Sequence, residues 1–341
     1  ATNLPALRLF LQAAEEHLPV EAGARALSFA DRAEERLALS RRHAVVALAG
    51  TTGSGKSSIF NALAGKQLST VGVRRPTTGV AHACVWDADG SGGLLDWLDI
   101  SPNRRFERPA DPDGPDQAGP APARPDGLIL LDLPDVDSME QPHRAEVDRL
   151  LDRVDLVIWV LDPQKYADAV VHQRYLRPAA GRSEVTVVLL NQVDTLGRAD
   201  TARCVADLRQ LLDAEGLAGM RLLATSTVEA GGLDELRTLL AGTAAGGEAC
   251  GRRLWVDLCD TAERLAPLVS VASDDDVVDR ATVRLLIDIL ADVAGVPTMV
   301  ESFERTYRER ATALTGWPVA AGARWLVRRL RRLRPDPLLL R

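Results

Sequence analysis

Residues 50–57, Gly-Thr-Thr-Gly-Ser-Gly-Lys-Ser, constrain the fold of this chain more than any other segment. They fit the pattern G-x-x-x-x-G-K-[ST] and directly follow the apolar run 45–49, which predicts a short buried strand. The residues from Ser58 onward predict a helix that begins at this turn. Glycines let backbone amides curl around a phosphate, and the helix N-terminus adds positive potential there. The segment therefore predicts a phosphate-binding strand–turn–helix unit.

Each part of this segment has a predicted role in holding a nucleotide. Lys56 is expected to reach the β- and γ-phosphates and is a predicted catalytic residue, while the hydroxyl of Ser57 is expected to ligate Mg²⁺. The nucleotide-binding residues predicted from the segment are Gly50, Thr51, Thr52, Gly53, Ser54, Gly55, Lys56, Ser57 and Ser58.

Strand and helix patterns alternate after this segment. Apolar runs predict strands at 45–49, 81–86, 128–131, 156–161, 185–190 and 222–224. Three- and four-residue apolar spacing predicts helices at 141–152, 166–177, 201–215 and 232–242. This alternation predicts an α/β fold with a mostly parallel sheet covered by helices on both faces.

The two ends of the chain have a different pattern. Residues 1–42 predict two helices separated at Pro19, and residues 246–341 predict a helical C-terminal region with a basic tail. Its predicted helices are 252–269, 277–293, 297–315 and 320–333. We expect the N- and C-terminal helices to form one bundle flanking the central domain, residues 43–245, because both ends lack another apolar partner. Within that domain, the Pro-, Gly- and Asp-rich residues 99–127 predict a long surface loop.

The sequence Asn191-Gln192-Val193-Asp194 indicates which base is bound, since it directly follows a predicted buried strand. A carboxylate at Asp194 can accept hydrogen bonds from guanine N1–H and from its exocyclic amine. Adenine offers no matching pair of donors and would leave the carboxylate unpaired. Asn191, Gln192 and Asp194 are therefore predicted nucleotide-binding residues, and GTP or GDP with Mg²⁺ is the predicted ligand.

These motifs, in this order and over roughly residues 43–243, resemble the translation-factor-related P-loop GTPases, particularly the Era-like and dynamin-like branches. The resemblance implies that Asp132, in Asp132-Leu133-Pro134, holds Mg²⁺ through water as in the family's D-x-P-G element. It implies that Thr78, with Thr77 second, is the switch I threonine that contacts Mg²⁺ and the γ-phosphate, a metal-binding and catalytic role. It also implies that Ser226 and Thr227 belong to the loop that contacts the guanine oxygen.

Two positions, Gln192 and Asp135, depart from the family pattern, whereas the apolar Val136 resembles the Era-like and dynamin-like branches. The usual N-K-x-D lysine is Gln192, so guanine selectivity is expected to survive and affinity to fall. The D-x-P-G glycine is Asp135, whose carboxylate is expected to point away from the γ-phosphate because like charges repel. Val136 stands where Ras-like proteins place a catalytic glutamine, which predicts slow turnover until a partner or self-association completes the site. Gly53 stands where some relatives place an asparagine for K⁺, so nothing supports a K⁺-dependent mechanism.

The basic tail leaves three interpretations open: a solvated helix end, a nucleic-acid or ribosome contact, and a membrane-surface segment. The net charge of −7 argues against general nucleic-acid binding, whereas Trp and clustered Arg favour an anionic membrane surface. Residues 316–318 and 334–338 also resemble the membrane-proximal part of actinobacterial membrane-associated GTPases. The arginines concerned are Arg324, Arg328, Arg329, Arg331, Arg332, Arg334 and Arg341.

The predicted function is GTP binding with slow hydrolysis that drives a conformational switch at or near a membrane. The alternatives are a ribosome- or RNA-associated assembly GTPase, a nucleotide-binding module with negligible catalysis, and an ATP-dependent kinase. The four cysteines lack metal-ligand spacing and are expected to be small buried thiols in a reducing compartment. Without a signal peptide or an apolar run of about 18 residues, the expected location is cytoplasmic, peripheral to or anchored at the membrane.

Overall fold

The computed structural model describes residues 4–15, 17–69, 80–108, 125–138, 141–229, 232–245, 248–269 and 289. The chain divides into two compact units, one of Ala1 with Ala14–Val271 and one of Thr2–Ala13 with Ala272–Arg341. The described part of the second unit is helix α1, Leu4–Ala13, with residue 289. Three leucines at helical spacing form the buried face of α1: Leu4, Leu7 and Leu11.

The first unit contains all the described strands. They are β1 Ala44–Ala49, β2 His82–Trp86, β3 Arg105–Arg108, β4 Leu128–Asp132, β5 Leu156–Leu161, β6 Thr186–Leu190 and β7 Arg221–Ala224. Its α-helices are α2 Val20–Ala38, α3 Lys56–Ala64, α4 Gly92–Trp97, α5 Gln141–Leu151, α6 Arg198–Ala214, α7 Asp234–Ala245 and α8 Ala249–Val269. Each of the six predicted strands begins and ends within one residue of an observed strand. They were predictable because continuous apolar runs of this length are typical of strands buried on both faces.

The seven strands form one sheet in the order β3-β2-β4-β1-β5-β6-β7. Neighbouring strands are parallel except that β2 runs antiparallel to β4. The prediction of a mostly parallel sheet is confirmed. The carboxyl ends of β1, β4, β5, β6 and β7 consequently lie at one edge of the sheet, where ligands bind in folds of this kind.

Both faces of the sheet are covered, as predicted, because successive side chains of a strand point to opposite faces. Val45, Ala47 and Ala49 of β1 join a cluster with α4, α5 and α6, while Val46 and Leu48 join a second cluster with α3 and α7. Every residue of β1 is buried. The strand that precedes the phosphate-binding turn therefore lies at the centre of the core.

Helix α2 is tied to the start of β1 and β5 by a buried ion pair. The Arg36 guanidinium donates to the Asp155 carboxylate at 2.8 Å and to the backbone oxygens of Ser40 and His43 at 2.8 and 2.9 Å. Asp155 also accepts the amide of Val45 at 2.8 Å. A helix N-terminal to the sheet and a helix C-terminal to it, α2 and α8, confirm that helices flank the α/β domain.

The prediction of a continuous surface loop over 99–127 is wrong at its start. Residues 105–108 form β3, an edge strand parallel to β2, and the Phe106 ring stacks on His82 with centroids 6.2 Å apart. Sequence pattern did not predict this strand, because three of its four residues are charged. A strand at the edge of a sheet can form with only one half-buried apolar side chain, here that of Phe106. Residues 109–124 lie outside the described residues.

The prediction of one helix over 166–177 is also wrong in part. The chain stays in turns through Asp168, whose carboxylate accepts the amide of Val170 at 2.8 Å. Residues Val171–Leu176 then form a π-helical turn, and Arg177–Val185 continue as 3₁₀ helix. Pro178, the second residue after the π-helical turn, has no N–H to donate to it. Helices 141–152, 201–215, 232–242 and 252–269 agree with the observed bounds within three residues, and the predicted helices 277–293, 297–315 and 320–333 lie outside the described residues.

Candidate functional site

Four loops that carry predicted site residues meet at the carboxyl edge of the sheet. Residues 50–55 follow β1, residues 133–138 follow β4, residues 191–197 follow β6 and residues 225–229 follow β7. They are joined by backbone bonds, since Val136 N donates to Gly50 O at 3.3 Å and Val193 N donates to Thr225 O at 3.3 Å. Parallel strand order thus brings together residues that lie far apart in the sequence.

The turn 50–55 requires glycine at two positions. Gly55 has φ +90°, and a Cβ there would lie 2.3 Å from Asn191 Nδ2. Gly50 has φ +152°, and a Cβ there would lie 2.2 Å from the backbone oxygen of Val160. Both positions combine a backbone angle that L side chains rarely adopt with no space for a side chain. The turn is therefore shaped by its glycines before any ligand enters.

The Lys56 ammonium group lies inside this turn and is almost fully buried. Its Nζ donates to the backbone oxygens of Gly50 and Thr51 at 2.9 and 3.0 Å, and to Oδ1 of Asp135 at 2.6 Å. The side chains of Lys56 and Asp135 are 4% and 8% exposed. The expectation that the Asp135 carboxylate points away from the phosphate position is therefore wrong: it lies against the lysine, since a buried cation needs a charged partner.

Ser57 and Asp132, both predicted to hold Mg²⁺, lie in contact. The Ser57 hydroxyl donates to Oδ2 of Asp132 at 2.7 Å, and the Ser69 hydroxyl donates to the same oxygen at 2.7 Å. Burial raises the pKa of the Asp132 carboxyl above its usual value, and the charge of Lys56 with the two serine hydroxyls offsets only part of that rise. Thr78 and Thr77, predicted for this site, lie outside the described residues.

The donor set of this site fits Mg²⁺. Oδ1 of Asp132 is buried and accepts no hydrogen bond from the described residues, which leaves a carboxylate oxygen for a hydrated cation. In the described part of the chain no group of three or more His, Cys, Asp and Glu could hold a metal. Mg²⁺ does not need such a group, since it commonly binds through one or two protein oxygens, water and substrate phosphates.

Asn61 is a site residue that sequence reasoning missed. On α3, its Oδ1 accepts the amides of Leu68 and Ser69 at 2.8 and 2.9 Å, and its Nδ2 donates to Ser69 O at 2.8 Å. These bonds hold Ser69 where its hydroxyl reaches Asp132. A buried amide on the core-facing side of a helix was the available signal for Asn61, whereas a lone serine gave none for Ser69.

The residues after β6 bind the phosphate-binding turn directly. Asn191 Nδ2 donates to Ser54 O at 2.9 Å, and Gln192 Nε2 donates to Gly53 O at 2.8 Å. Gln192 has φ +61°, an uncommon angle for a non-glycine residue. Gln192 therefore contacts the turn through a neutral side chain, where a lysine would bring a positive charge.

Asp194 and Ser226 meet at the end of the site formed by β6 and β7. The Ser226 hydroxyl donates to Oδ1 of Asp194 at 2.6 Å and accepts the amides of Val228 and Glu229 at 3.1 and 3.2 Å. Oδ1 has a second lone pair and Oδ2 remains for a ligand. Thr227 lines a cavity of about 560 Å³ with Ser58 and Asn61 between the base-side loop and α3.

Two further residues that sequence reasoning missed bind Thr52. Oδ1 of Asp137 accepts both the amide and the hydroxyl of Thr52 at 2.8 Å, and Lys165 Nζ lies 3.4 Å from Thr52 O. Between Asp135 and Asp137, the side chain of Val136 is 1% exposed and belongs to the core cluster of one sheet face. The position of the Ras-like glutamine is thus filled by a buried apolar side chain.

Residues 45–192 match the model of a family described as 50S ribosome-binding GTPase. No curated protein sequence matches the chain. Similar solved structures include Era from Aquifex aeolicus bound to GDP.AlF4-, with 16% identity, TM-score 0.40 and coverage of 58% of this chain and 56% of that chain. Era in complex with MgGDPNP and nucleotides 1506–1542 of 16S ribosomal RNA has 18% identity, TM-score 0.41 and coverages of 59% and 56%.

An oligomerised bacterial dynamin pair is similar with 13% identity, TM-score 0.43 and coverage of 92% of this chain and 51% of that chain. The chain thus spans about half the length of each of these three proteins. The family match contains the turn after β1, the segment after β4 and the first two residues after β6, and it confirms the prediction of a P-loop GTPase domain.

Proposed function

We propose that this chain, which carries a P-loop GTPase domain, binds guanine nucleotide with Mg²⁺ through that domain and hydrolyses GTP slowly. One observation supports the proposal: the start of α3 with Lys56 and Ser57, the end of β4 with Asp132, and the turn after β6 with Asp194 lie at one edge of the sheet. Phosphate, metal and base would each find a matching group along that edge.

The phosphate end of the site is built from positive groups. The backbone amides at the start of α3 and the Lys56 ammonium would hold the phosphates, because a helix N-terminus and a buried cation both favour anions. Ser57 and Asp132 would hold Mg²⁺, whose charge neutralises negative charge that develops on the phosphates during transfer. Ser69, held by Asn61, positions the Asp132 carboxylate for this role.

The base end of the site supports selectivity for guanine. The Ser226 hydroxyl holds the Asp194 carboxylate in place by a hydrogen bond to Oδ1. The remaining lone pairs of the carboxylate can accept hydrogen bonds from two adjacent N–H groups of guanine. A base without that donor pair would leave a partly buried carboxylate without compensation for its lost water. Gln192 in place of a lysine keeps the contact with the turn and is expected to lower nucleotide affinity without changing base selectivity.

Slow hydrolysis follows from two residues after β4. Val136 has an apolar, buried side chain and cannot orient an attacking water. Asp135 brings a negative charge beside the lysine that should stabilise charge on the transferred phosphate. The same two residues favour the alternative of a nucleotide-binding module with negligible catalysis.

Base selectivity is tested by competition. Unlabelled GDP and ATP are titrated against a fluorescent guanine nucleotide bound to the full chain, to Asp194→Asn and to the matched control Asp200→Asn on the exposed start of α6. We expect GDP and not ATP to compete for the wild-type chain and for Asp200→Asn, and selectivity to collapse in Asp194→Asn. Unchanged selectivity in Asp194→Asn would remove the assignment of Asp194.

Catalysis is tested by single-turnover hydrolysis with protein in excess over GTP. Slow GTP turnover by the wild-type chain that is abolished in Lys56→Ala supports the proposal that the protein is a GTPase. No turnover at any protein concentration, with guanine nucleotide bound, supports the binding module instead. Acceleration that rises with protein concentration would indicate that self-association completes the site.

The membrane part of the proposal rests on the arginine-rich residues 324–341, which lie outside the described residues. In the part of the chain that the structure describes, no helix combines the length and apolarity needed to cross a bilayer. Clustered Arg with Trp317 and Trp325 fits an anionic headgroup surface. We expect the full chain to float with phosphatidylserine vesicles in a density gradient. If the chain does not float but binds structured RNA in a salt-sensitive way, the alternative of an RNA-associated assembly GTPase is favoured.

A further inference from the structure

The Lys56 ammonium group has no spare proton to offer a phosphate. An ammonium carries three N–H donors. In the structure all three have acceptors within 3.0 Å: the backbone oxygens of Gly50 and Thr51 and the carboxylate of Asp135. A phosphate that binds Lys56 must therefore replace one of these three acceptors, of which one is charged.

The Asp135 carboxylate is held in this place by its neighbours. Asp137 accepts two hydrogen bonds from Thr52, and the amide of Val136 donates to Gly50 O. Both contacts fasten the segment after β4 to the phosphate-binding turn on either side of Asp135. Asp135 is itself 6% exposed, and its second oxygen, Oδ2, is buried without a hydrogen-bond partner among the described residues. The carboxylate is thus a fixed anion inside a site built for anions.

We propose that Asp135 is a specificity-determining residue that makes this site favour guanosine diphosphate over guanosine triphosphate. The inference rests on the proposed function and deepens it. A diphosphate can bind Lys56 in exchange for one of the two neutral backbone oxygens, so the ion pair survives. A third phosphate adds negative charge at the lysine, where it meets a buried carboxylate, and like charges in a poorly hydrated site repel strongly.

Triphosphate binding consequently requires Asp135 to leave Lys56. Because Asp137 and Val136 fasten the same segment, its displacement also strains or breaks the contacts with Thr52 and Gly50. Entry of the third phosphate and movement of residues 135–137 are therefore one event.

The test is the ratio of the dissociation constants for GTP and GDP. Both constants are measured on the full chain with Mg²⁺ by calorimetry, with a non-hydrolysable GTP analogue beside GTP, for wild type and for Asp135→Asn, Asp135→Glu and Asp137→Asn. We expect wild type to bind GDP at least about tenfold more tightly, the size of effect that one charge contact commonly gives. Asp135→Asn is expected to lower the ratio at least about fivefold by tightening GTP binding, while Asp135→Glu keeps a carboxylate and retains the preference.

Asp137→Asn separates the two effects, because it loosens the same segment while the carboxylate of Asp135 stays beside Lys56; we expect it to lower the ratio less than Asp135→Asn does. A ratio that falls equally in Asp137→Asn and Asp135→Asn would overturn the role of the Asp135 charge. If wild type binds GTP as tightly as GDP, the inference fails even where the variants do not fold, and the proposed function stands. If no guanine nucleotide binds, the proposed function fails and takes this inference with it.

Discussion

Replacing Asp155 with alanine is expected to destabilise the α/β domain more than any surface substitution, because it leaves two buried donors without an acceptor. Oδ2 of Asp155 accepts both the Arg36 guanidinium and the Val45 amide at 2.8 Å. The side chains of Arg36 and Asp155 are 3% and 2% exposed. Burial lowers the pKa of Arg36, but the charges of Asp155 and Cys250 and the hydrogen bond to Asp155 together raise that pKa above its usual value, so the arginine stays charged in the folded protein.

The loss of stability in Asp155→Ala depends on the buried groups that remain without a partner. Removing one partner of a buried ion pair costs about 3–5 kcal/mol, since the other charge remains buried. Arg36 keeps its bonds to Ser40 O and His43 O, which reduces the loss, while the unsatisfied Val45 amide increases it. We therefore expect a loss of about 4 kcal/mol, a large share of the roughly 5–15 kcal/mol that stabilises an ordinary domain.

The assay is urea unfolding followed by tryptophan fluorescence, since Trp159 of β5 is buried in the core of the same domain. Glu21→Ala is the control, because its pair with Arg25 is exposed at 72% and 87% and should change stability by less than about 0.5 kcal/mol. An Asp155→Ala protein no less stable than Glu21→Ala would refute the buried-pair account.

Three further predictions concern other parts of the domain. Gly55→Ala should weaken GDP binding by at least about tenfold, since its Cβ would lie 2.3 Å from Asn191 Nδ2; Gly53→Ala, with open space around it, should weaken binding less. Burial favours a raised pKa for the Glu215 carboxyl, but hydrogen bonds from His172 and Arg177 lower that pKa below its usual value. The ionised Glu215 carboxylate therefore stabilises the folded protein at neutral pH, and this contribution is lost as pH falls through the lowered pKa. Glu215→Gln should lower the free energy of unfolding by on the order of 2 kcal/mol at pH 7. Unfolding measured over a range of acidic pH should also show that the stability of the variant depends less on pH than that of wild type. Burial raises the pKa of the Cys84 thiol to about 12, so iodoacetamide should not label Cys84 in the folded protein, as peptide mass spectrometry would show.

The central part of the fold was predictable because sequence pattern and burial coincide there. Strand β1 is apolar at every position and buried at every position, and the glycines after it allow only a tight turn. Strand β3 was not predictable, because three of its four residues are charged and its pairing with β2 is set by tertiary structure. The π-helical turn escaped prediction because apolar spacing near Val171 resembles that of an α-helix.

The site was predictable where a motif fixes a residue's neighbours in the chain, as for Lys56 and Ser57. It was not predictable where the partner comes from a distant loop. Repulsion from a phosphate suggested that Asp135 points away, but attraction to the buried Lys56 decides its position in the structure. Ser69 and Asn61 have no motif, and only the folded chain shows that Asn61 holds Ser69 against Asp132.

Calorimetric titration of Mg²⁺-GDP into the full chain tests the claim on which the account depends, that the turn after β1 holds a guanine nucleotide. We predict saturable binding of one GDP per chain. This binding is lost in Lys56→Ala and retained in the surface control Arg203→Ala, and ATP does not displace the bound GDP. Absence of saturable GDP binding, or equal displacement by ATP, would contradict it.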